Sequence, residues 1–404
     1  MAALARRVPA WRRGGLFLAA ALLAVIGILL LGLSVARARP GGVPFSVYAS
    51  GLNNPRGLAF DSRGVLYVAE AGSGGSKSVI VNGHERYQIG YTGRVSRIPS
   101  AGRRETVLEG MPSVFTSHKD EIGPASVAII GDDLFVLTAQ GGNSVGDPSF
   151  DNTILRVTRD GSRSTILNYS QFSIENPSLA RRSDPRADVP GGMPFGMAAV
   201  NGQLYTTDGN LEFVQEFSAD GQPLRRLLEY PASNRVLTNV VLGPDGALYI
   251  AELGPWPYPA GSGRITRLTL DGQSAPAVTG LTTPIAAAFG PDGTLYAIEL
   301  TAPLRQDFNL GRLLKIRSDG QQEVILDSLS YPTAMIAGPD DNLYISNYGH
   351  LSRRSNGQVL RVEIGDQSPG DQAIRRVRAL GSLGLGGAAA LVLAAVAALA
   401  QRFR

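Results

Sequence analysis

Six times along this chain an apolar run reaches a tight polar turn and re-emerges as a Leu-Tyr or Leu-Phe strand. The plainest copies are Gly243-Pro244-Asp245-Gly246-Ala247-Leu248-Tyr249-Ile250-Ala251-Glu252 and Gly290-Pro291-Asp292-Gly293-Thr294-Leu295-Tyr296-Ala297-Ile298-Glu299. Ahead of each Leu-aromatic strand stands a run without polar alternation, such as Gly57-Leu58-Ala59-Phe60 or Ala286-Ala287-Ala288-Phe289, which predicts a strand buried on both faces. Behind it comes an alternating run, residues 263–268 or 311–316, with one packed side and one wet side. A fourth run, as in Glu323-Val324-Ile325-Leu326, leads into the next copy. Asp-Gly pairs at 160–161, 271–272 and 319–320 fall where the third and fourth strands turn back, and they supply the positive φ of a tight hairpin.

One such sheet cannot bury its own apolar face, so the copies must stack. The aromatics Tyr67, Phe135, Tyr205, Tyr249, Tyr296 and Tyr344 are spaced by 68, 70, 44, 47 and 48 residues. The short intervals match a propeller blade of about 40–45 residues, and the two long ones exceed it by half a blade, which predicts loop insertions rather than a missed copy. The fold class is therefore all-β, a six-bladed β-propeller over residues 42–365. Residues 44–50 read as a fourth strand with no blade of their own, while the sixth copy runs out after Arg361-Val362-Glu363-Ile364. Pairing the two would complete the sixth blade and remove two exposed edges.

Both flanks are strongly apolar. Residues 14–36 are 23 uncharged positions preceded by Arg6, Arg7, Arg12 and Arg13, and residues 379–401 are 23 more. They predict N- and C-terminal hydrophobic membrane helices. In this division 1–41 is a basic tail with a signal or anchor helix at about 15–36, 366–378 a basic linker, 379–401 a transmembrane helix and 402–404 a basic tail. Ser34-Val35-Ala36 would also serve as a cleavage site. The leading arginines place the N-terminus in the cytoplasm and the ring on the extracytoplasmic side of the cell membrane.

The net charge of +4 belongs to these flanks. Residues 42–365 carry 27 basic and 32 acidic side chains, a balance that offers no footprint for nucleic acid. Cysteine is absent, so thiolate metal sites and disulfides are excluded. Arg outnumbers Lys 35 to 3, a bias that reads as base composition of the genome.

In a propeller the connections between strands two and three and those between blades share one face. Here they hold the long loops, including 71–92, 111–123, 139–151, 168–191 and 253–262, so that face is the working one. Around it the Leu-aromatic strands exit at Glu70, Thr138, Asp208, Glu252, Glu299 and Asn347, beside the inner-strand entrances at Arg56, Ser126, Phe195, Asn239, Ile285 and Thr333. Glu70, Asp208, Glu252, Glu299 and Asn347 could hold Ca²⁺, which takes six to eight oxygens; equally, each could accept hydrogen bonds that tie blades together. His118 and His350 lie in working-face loops as acid–base or ligand candidates, or as plain solvated side chains. Gly254-Pro255-Trp256-Pro257-Tyr258-Pro259 presents Trp256 and Tyr258 on a stiff loop, as a platform for a ligand or partner or as a plug in the blade top.

Asn53-Asn54-Pro55-Arg56-Gly57-Leu58-Ala59-Phe60 with Leu66-Tyr67-Val68-Ala69-Glu70-Ala71-Gly72, Pro194-Phe195-Gly196-Met197 with Leu204-Tyr205-Thr206-Thr207-Asp208, and residues 243–259 together resemble the ScyD/ScyE family of exported, NHL-like bacterial propellers. The resemblance implies a six-bladed exported ring and brings no catalytic residue set with it. The expectation is a membrane-tethered extracytoplasmic propeller that binds a small molecule or a cell-envelope protein through its loop-rich face. The alternatives are a Ca²⁺-dependent hydrolase or lactonase, on fold analogy alone, and a quinone-type oxidoreductase, disfavoured by the scarcity of His and Lys on that face.

Overall fold

In a computed structural model of the chain, residues 42–81, 83–139, 141–179, 189–231, 235–301, 310–350 and 355–365 are described. They form six antiparallel sheets, one per predicted copy. Blade 4 shows the plan: the inner strand Leu237–Leu242, then Leu248–Glu252, Gly263–Leu268 and Ser274–Leu281, each hydrogen-bonded to the next. Blade 5 repeats it from Pro284–Phe289 to Gln322–Leu329, blade 3 from Pro194–Val200 to Pro223–Glu229 and blade 2 from Pro124–Ile130 to Arg163–Asn168. The predicted membrane segments at 15–36 and 379–401 lie outside the described residues. Among the described residues no helix is long and apolar enough to cross a membrane.

The ring closes as the orphan strand predicts. Phe45–Leu52 pairs antiparallel with Gly357–Val362, with Phe45 opposite Val362 and Leu52 opposite Gly357, and becomes the outer strand of blade 6. The Glu363 N–H donates to the Pro44 carbonyl at 2.9 Å. Leu52 and Ala49 are buried with Leu58, Leu66 and Val68 of blade 1 and with Tyr344 and Val359 of blade 6, so the latch also fills the seam between first and last blades.

The seams share a steric device. A Cβ on Gly93, Gly263, Gly311 or Gly357, each in a third strand, would lie 2.2–2.7 Å from a proline atom at or just before the start of the following blade's inner strand: Pro124, Pro284, Pro332 and Pro55 in turn. That distance is below van der Waals contact, so only glycine lets the blades approach this closely.

The inserted segments depart from the expectation of loops. Within 71–92, Lys77–Val81 pairs with the start of the long strand Glu85–Ser100, Lys77 opposite Ile89 and Val81 opposite Glu85, giving blade 1 an extra hairpin. Val79 packs with Ile89, Val114 and Phe150, while Ile80 on the opposite face is exposed. The insertions of blade 2 carry two 3₁₀ turns, Gly142–Val145 and Pro148–Phe150, and the short helix Tyr169–Glu175. Asn168 caps that helix by accepting from the Gln171 N–H at 2.9 Å.

Candidate functional site

The strand-exit residues are held by their own blades and by the segments that arrive from the preceding outer strands. Glu70 is fully buried, accepts from the Asn53 N–H and from Ser96, and forms an ion pair with Arg94 at 2.7 Å. Glu252 accepts from Tyr230 at 3.0 Å and pairs with Arg264 at 2.8 Å, and Glu299 accepts from the Thr282 N–H at 2.6 Å and pairs with Arg312. Asp208 accepts from the N–H groups of Asn210 at 2.9 Å and Leu211 at 2.7 Å, and Asn347 from the N–H of Ser330 at 2.8 Å. Among the described residues no three His, Asp or Glu side chains are grouped to hold a metal ion. As arranged, these side chains accept from guanidinium, hydroxyl and backbone N–H groups, which matches the expected role of tying blades together.

The inner-strand entrances do converge. Residues at the starts of all six inner strands, Arg56, Pro124, Pro194, Leu237, Ile285 and Thr333, line a cavity of about 370 Å³ at the mouth of the ring. Its wall is apolar, with Ile122, Met193, Phe195, Leu253 and Leu300 between the strand ends. The ionisable groups of the lining gather in one corner, Arg56, Asp120, Glu121 and His350, while Asn210 and Thr333 add neutral polar groups. An apolar pocket with a few convergent polar groups is the usual form of a small-molecule site.

Blade contacts fix each member of that corner. The backbone of Arg56 is pinned from blade 6, where Thr333 Oγ1 donates to the Pro55 carbonyl at 2.6 Å and Ser346 Oγ to the Arg56 carbonyl at 2.7 Å. Arg56 Nη2 donates to the Glu121 carbonyl at 2.5 Å. Glu121 is buried in the two-residue strand Glu121–Ile122, which pairs with Phe115 and Val114. His350 follows Gly349, where a Cβ would lie 2.2 Å from Thr333 Oγ1 and 2.4 Å from the Pro55 carbonyl oxygen. Glycine there brings the loop down onto the entrances of blades 6 and 1 and carries the imidazole into the corner.

His350 bridges two carboxylates, with Nε2 at 3.2 Å from Asp120 Oδ1 and Nδ1 at 3.2 Å from Glu121 Oε2, and its ring meets Tyr331 edge-on at 5.8 Å. Burial pulls its pKa down and Arg56 opposes the charge, but the adjacent carboxylates of Asp120 and Glu121 outweigh both and hold it above the ordinary value. Burial pushes the Arg56 guanidinium below its ordinary value, against the pull of Glu121 and Asp120. An imidazole whose protonated form is favoured and a guanidinium thus face an apolar chamber, a setting able to grip an oxygen acceptor or to donate a proton.

Of the residues singled out in the sequence, the cavity brings Arg56 and His350 together. His118 lies outside it, 72% exposed, with Nε2 at 3.1 Å from Glu85. Trp256 and Tyr258 are also outside its lining; Trp256 is 73% exposed and meets Tyr258 edge-on at 5.3 Å. Asp120 and Glu121 were legible only as two adjacent acids ahead of the second inner strand, a weak signal.

No protein-family model and no curated protein matches the chain. Solved structures match its shape. A structural-genomics protein of unknown function from Bacteroides thetaiotaomicron is 12% identical with a TM-score of 0.50, over 79% of this chain and 76% of its own. A streptogramin B lyase is 14% identical with a TM-score of 0.46, over 79% and 97%. The PQQ-bound aldose sugar dehydrogenase from Streptomyces coelicolor is 15% identical with a TM-score of 0.38, over 60% and 95%. At these identities the likeness extends to the fold alone, a six-bladed propeller, and leaves the chemistry to be argued from the chain's own residues.

Proposed function

We propose that this protein is a membrane-tethered extracytoplasmic propeller that captures a mainly apolar small molecule in the mouth of its ring. The observation that carries the reading is the cavity itself: about 370 Å³, built from the starts of all six inner strands, with its charged groups confined to one corner. Rigid strands hold its walls, so little ordering entropy opposes binding. The apolar flanks at 14–36 and 379–401 and the resemblance to the exported ScyD/ScyE propellers support the tethering.

A neutral apolar fluorophore, N-phenyl-1-naphthylamine, tests the cavity without involving its charges. Wild type is expected to bind it at one saturable site. Ala125→Phe, which projects a ring into the mouth, is expected to lower the affinity by about tenfold or more, the loss of roughly 1.4 kcal/mol. Unsaturable binding, or binding unchanged by Ala125→Phe in a normally folded variant, would remove the cavity reading.

A second reading, acid-assisted hydrolysis or elimination on the captured molecule, is favoured by one observation: His350 is held between two carboxylates and faces the same chamber. Its pKa, raised above the ordinary value, favours the protonated form that a proton donor needs.

A further inference from the structure

The arginines of the working face divide into two kinds. Arg94, Arg264 and Arg312 each pair with the buried glutamate of their own blade, Glu70, Glu252 and Glu299. Arg56 differs. Its one hydrogen bond is from Nη2 to a backbone carbonyl, that of Glu121, and none of the described carboxylates lies within ion-pair distance of it. The two nearby acids are turned to His350 instead. Asp120 and Glu121 act on the Arg56 guanidinium from beyond ion-pair distance, so a guanidinium drawn into an apolar chamber keeps N–H donors that no carboxylate meets directly.

We infer that the molecule taken into the ring mouth carries a single carboxylate, which pairs with the guanidinium of Arg56 while its apolar body fills the chamber between Met193, Phe195, Leu253 and Ile285. This deepens the cavity reading and rests on it. The planar fork of arginine matches a carboxylate with two parallel N–H···O bonds, a geometry that selects it over a neutral amide or alcohol. A dianion such as a phosphate monoester fits poorly, since Asp120 and Glu121 stand in the same corner and would repel its second charge. The described wall sets two basic groups, Arg56 and His350, against two acidic ones, Asp120 and Glu121, so the corner has no surplus of positive charge to hold a second negative charge.

The test uses two apolar frames, each with a charged and a neutral head: 2-naphthoate with 2-naphthamide, and adamantane-1-carboxylate with adamantane-1-carboxamide. Binding to the full-length protein is measured by titration calorimetry. The acids are expected to bind at least about tenfold tighter than their amides. Arg56→Gln is expected to abolish that difference while leaving amide affinity in place, and Arg56→Lys to retain part of it. Equal binding of acid and amide by wild type overturns the inference and leaves the cavity reading standing. A preference that survives Arg56→Gln in a variant with unchanged circular dichroism also overturns it, because the anion would then be held elsewhere. If neither head group binds on either frame while the neutral fluorophore does, the inference fails alone; if the fluorophore fails too, both fall.

Discussion

His350 joins the loop after the second strand of blade 6 to the chain entering blade 2, passing over the first residue pair of blade 1. Because its pKa is raised by Asp120 and Glu121, the folded state binds the imidazole's proton more tightly than the unfolded chain does. The stabilisation is therefore fully present below about pH 6.5, the unfolded value, and is lost as pH rises through the higher folded value. His350→Gln removes that linkage. The gap in melting temperature between wild type and His350→Gln is expected to be larger at pH 5.5 than at pH 8.5, and a gap independent of pH would show that the imidazole is not protonated in this corner. Arg56 and His350 were legible as candidates because a strand entrance and a short Gly-bearing loop place them on the working face. Asp120 and Glu121 were not, because their role depends on a chain path through Glu121–Ile122 that no local pattern announces.

At the scale of the strand, a register-matched pair recurs from blade to blade. Glu70 stands opposite Arg94, Glu252 opposite Arg264 and Glu299 opposite Arg312, while blade 6 places Asn347 opposite Gln358 at the same point. Three copies carry the charged pair, blade 6 has two neutral amides there and blade 3 sets Asp208 opposite Phe213, so the ion pair is one of several ways in which the position is filled. Replacing one partner leaves a buried ion without its counterpart, at a cost of about 3–5 kcal/mol when both are fully enclosed. Arg264 reaches solvent, which reduces the loss from Glu252→Gln to about 1–3 kcal/mol. The double variant Glu252→Gln, Arg264→Gln reproduces the chemistry of blade 6 and is expected to recover most of that loss in denaturant titration; a double variant no more stable than the single one would deny the equivalence. The exit residues and the Gly-Arg starts of the third strands were each visible in the sequence, but their pairing requires the register. For the same reason the blade architecture was readable from period and alternation, whereas the Lys77–Val81 hairpin was read as loop: five residues bounded by glycines carry too little periodicity to declare themselves.

For the whole ring, closure rests on one strand contributed from the opposite end of the described chain, and no disulfide reinforces it. Without Phe45–Leu52, the strand Gly357–Val362 becomes a sheet edge, and Val359, Leu360 and Val362, all buried in the closed ring, lie along it. An apolar edge with unpaired N–H and C=O groups recruits other chains. Loss of Leu52 alone removes about 1.5–3 kcal/mol of burial from the seam between blades 6 and 1. A chain lacking residues 1–52 is therefore expected to melt several degrees lower, at about 2–4 °C per kcal/mol for a domain of 150–250 residues and less for a larger ring. It is also expected to associate in a concentration-dependent way in sedimentation velocity. A synthetic peptide of residues 43–52 supplies the missing edge, and adding it in excess should return the truncated ring to a monomer and raise its melting temperature, since a ligand that binds only the folded state stabilises it by mass action. Rescue by a peptide of the same composition in scrambled order would mean that any strand suffices. Failure of the native peptide to bind at all would mean that the latch forms only when it is part of the same chain, as an intramolecular strand held at high effective concentration.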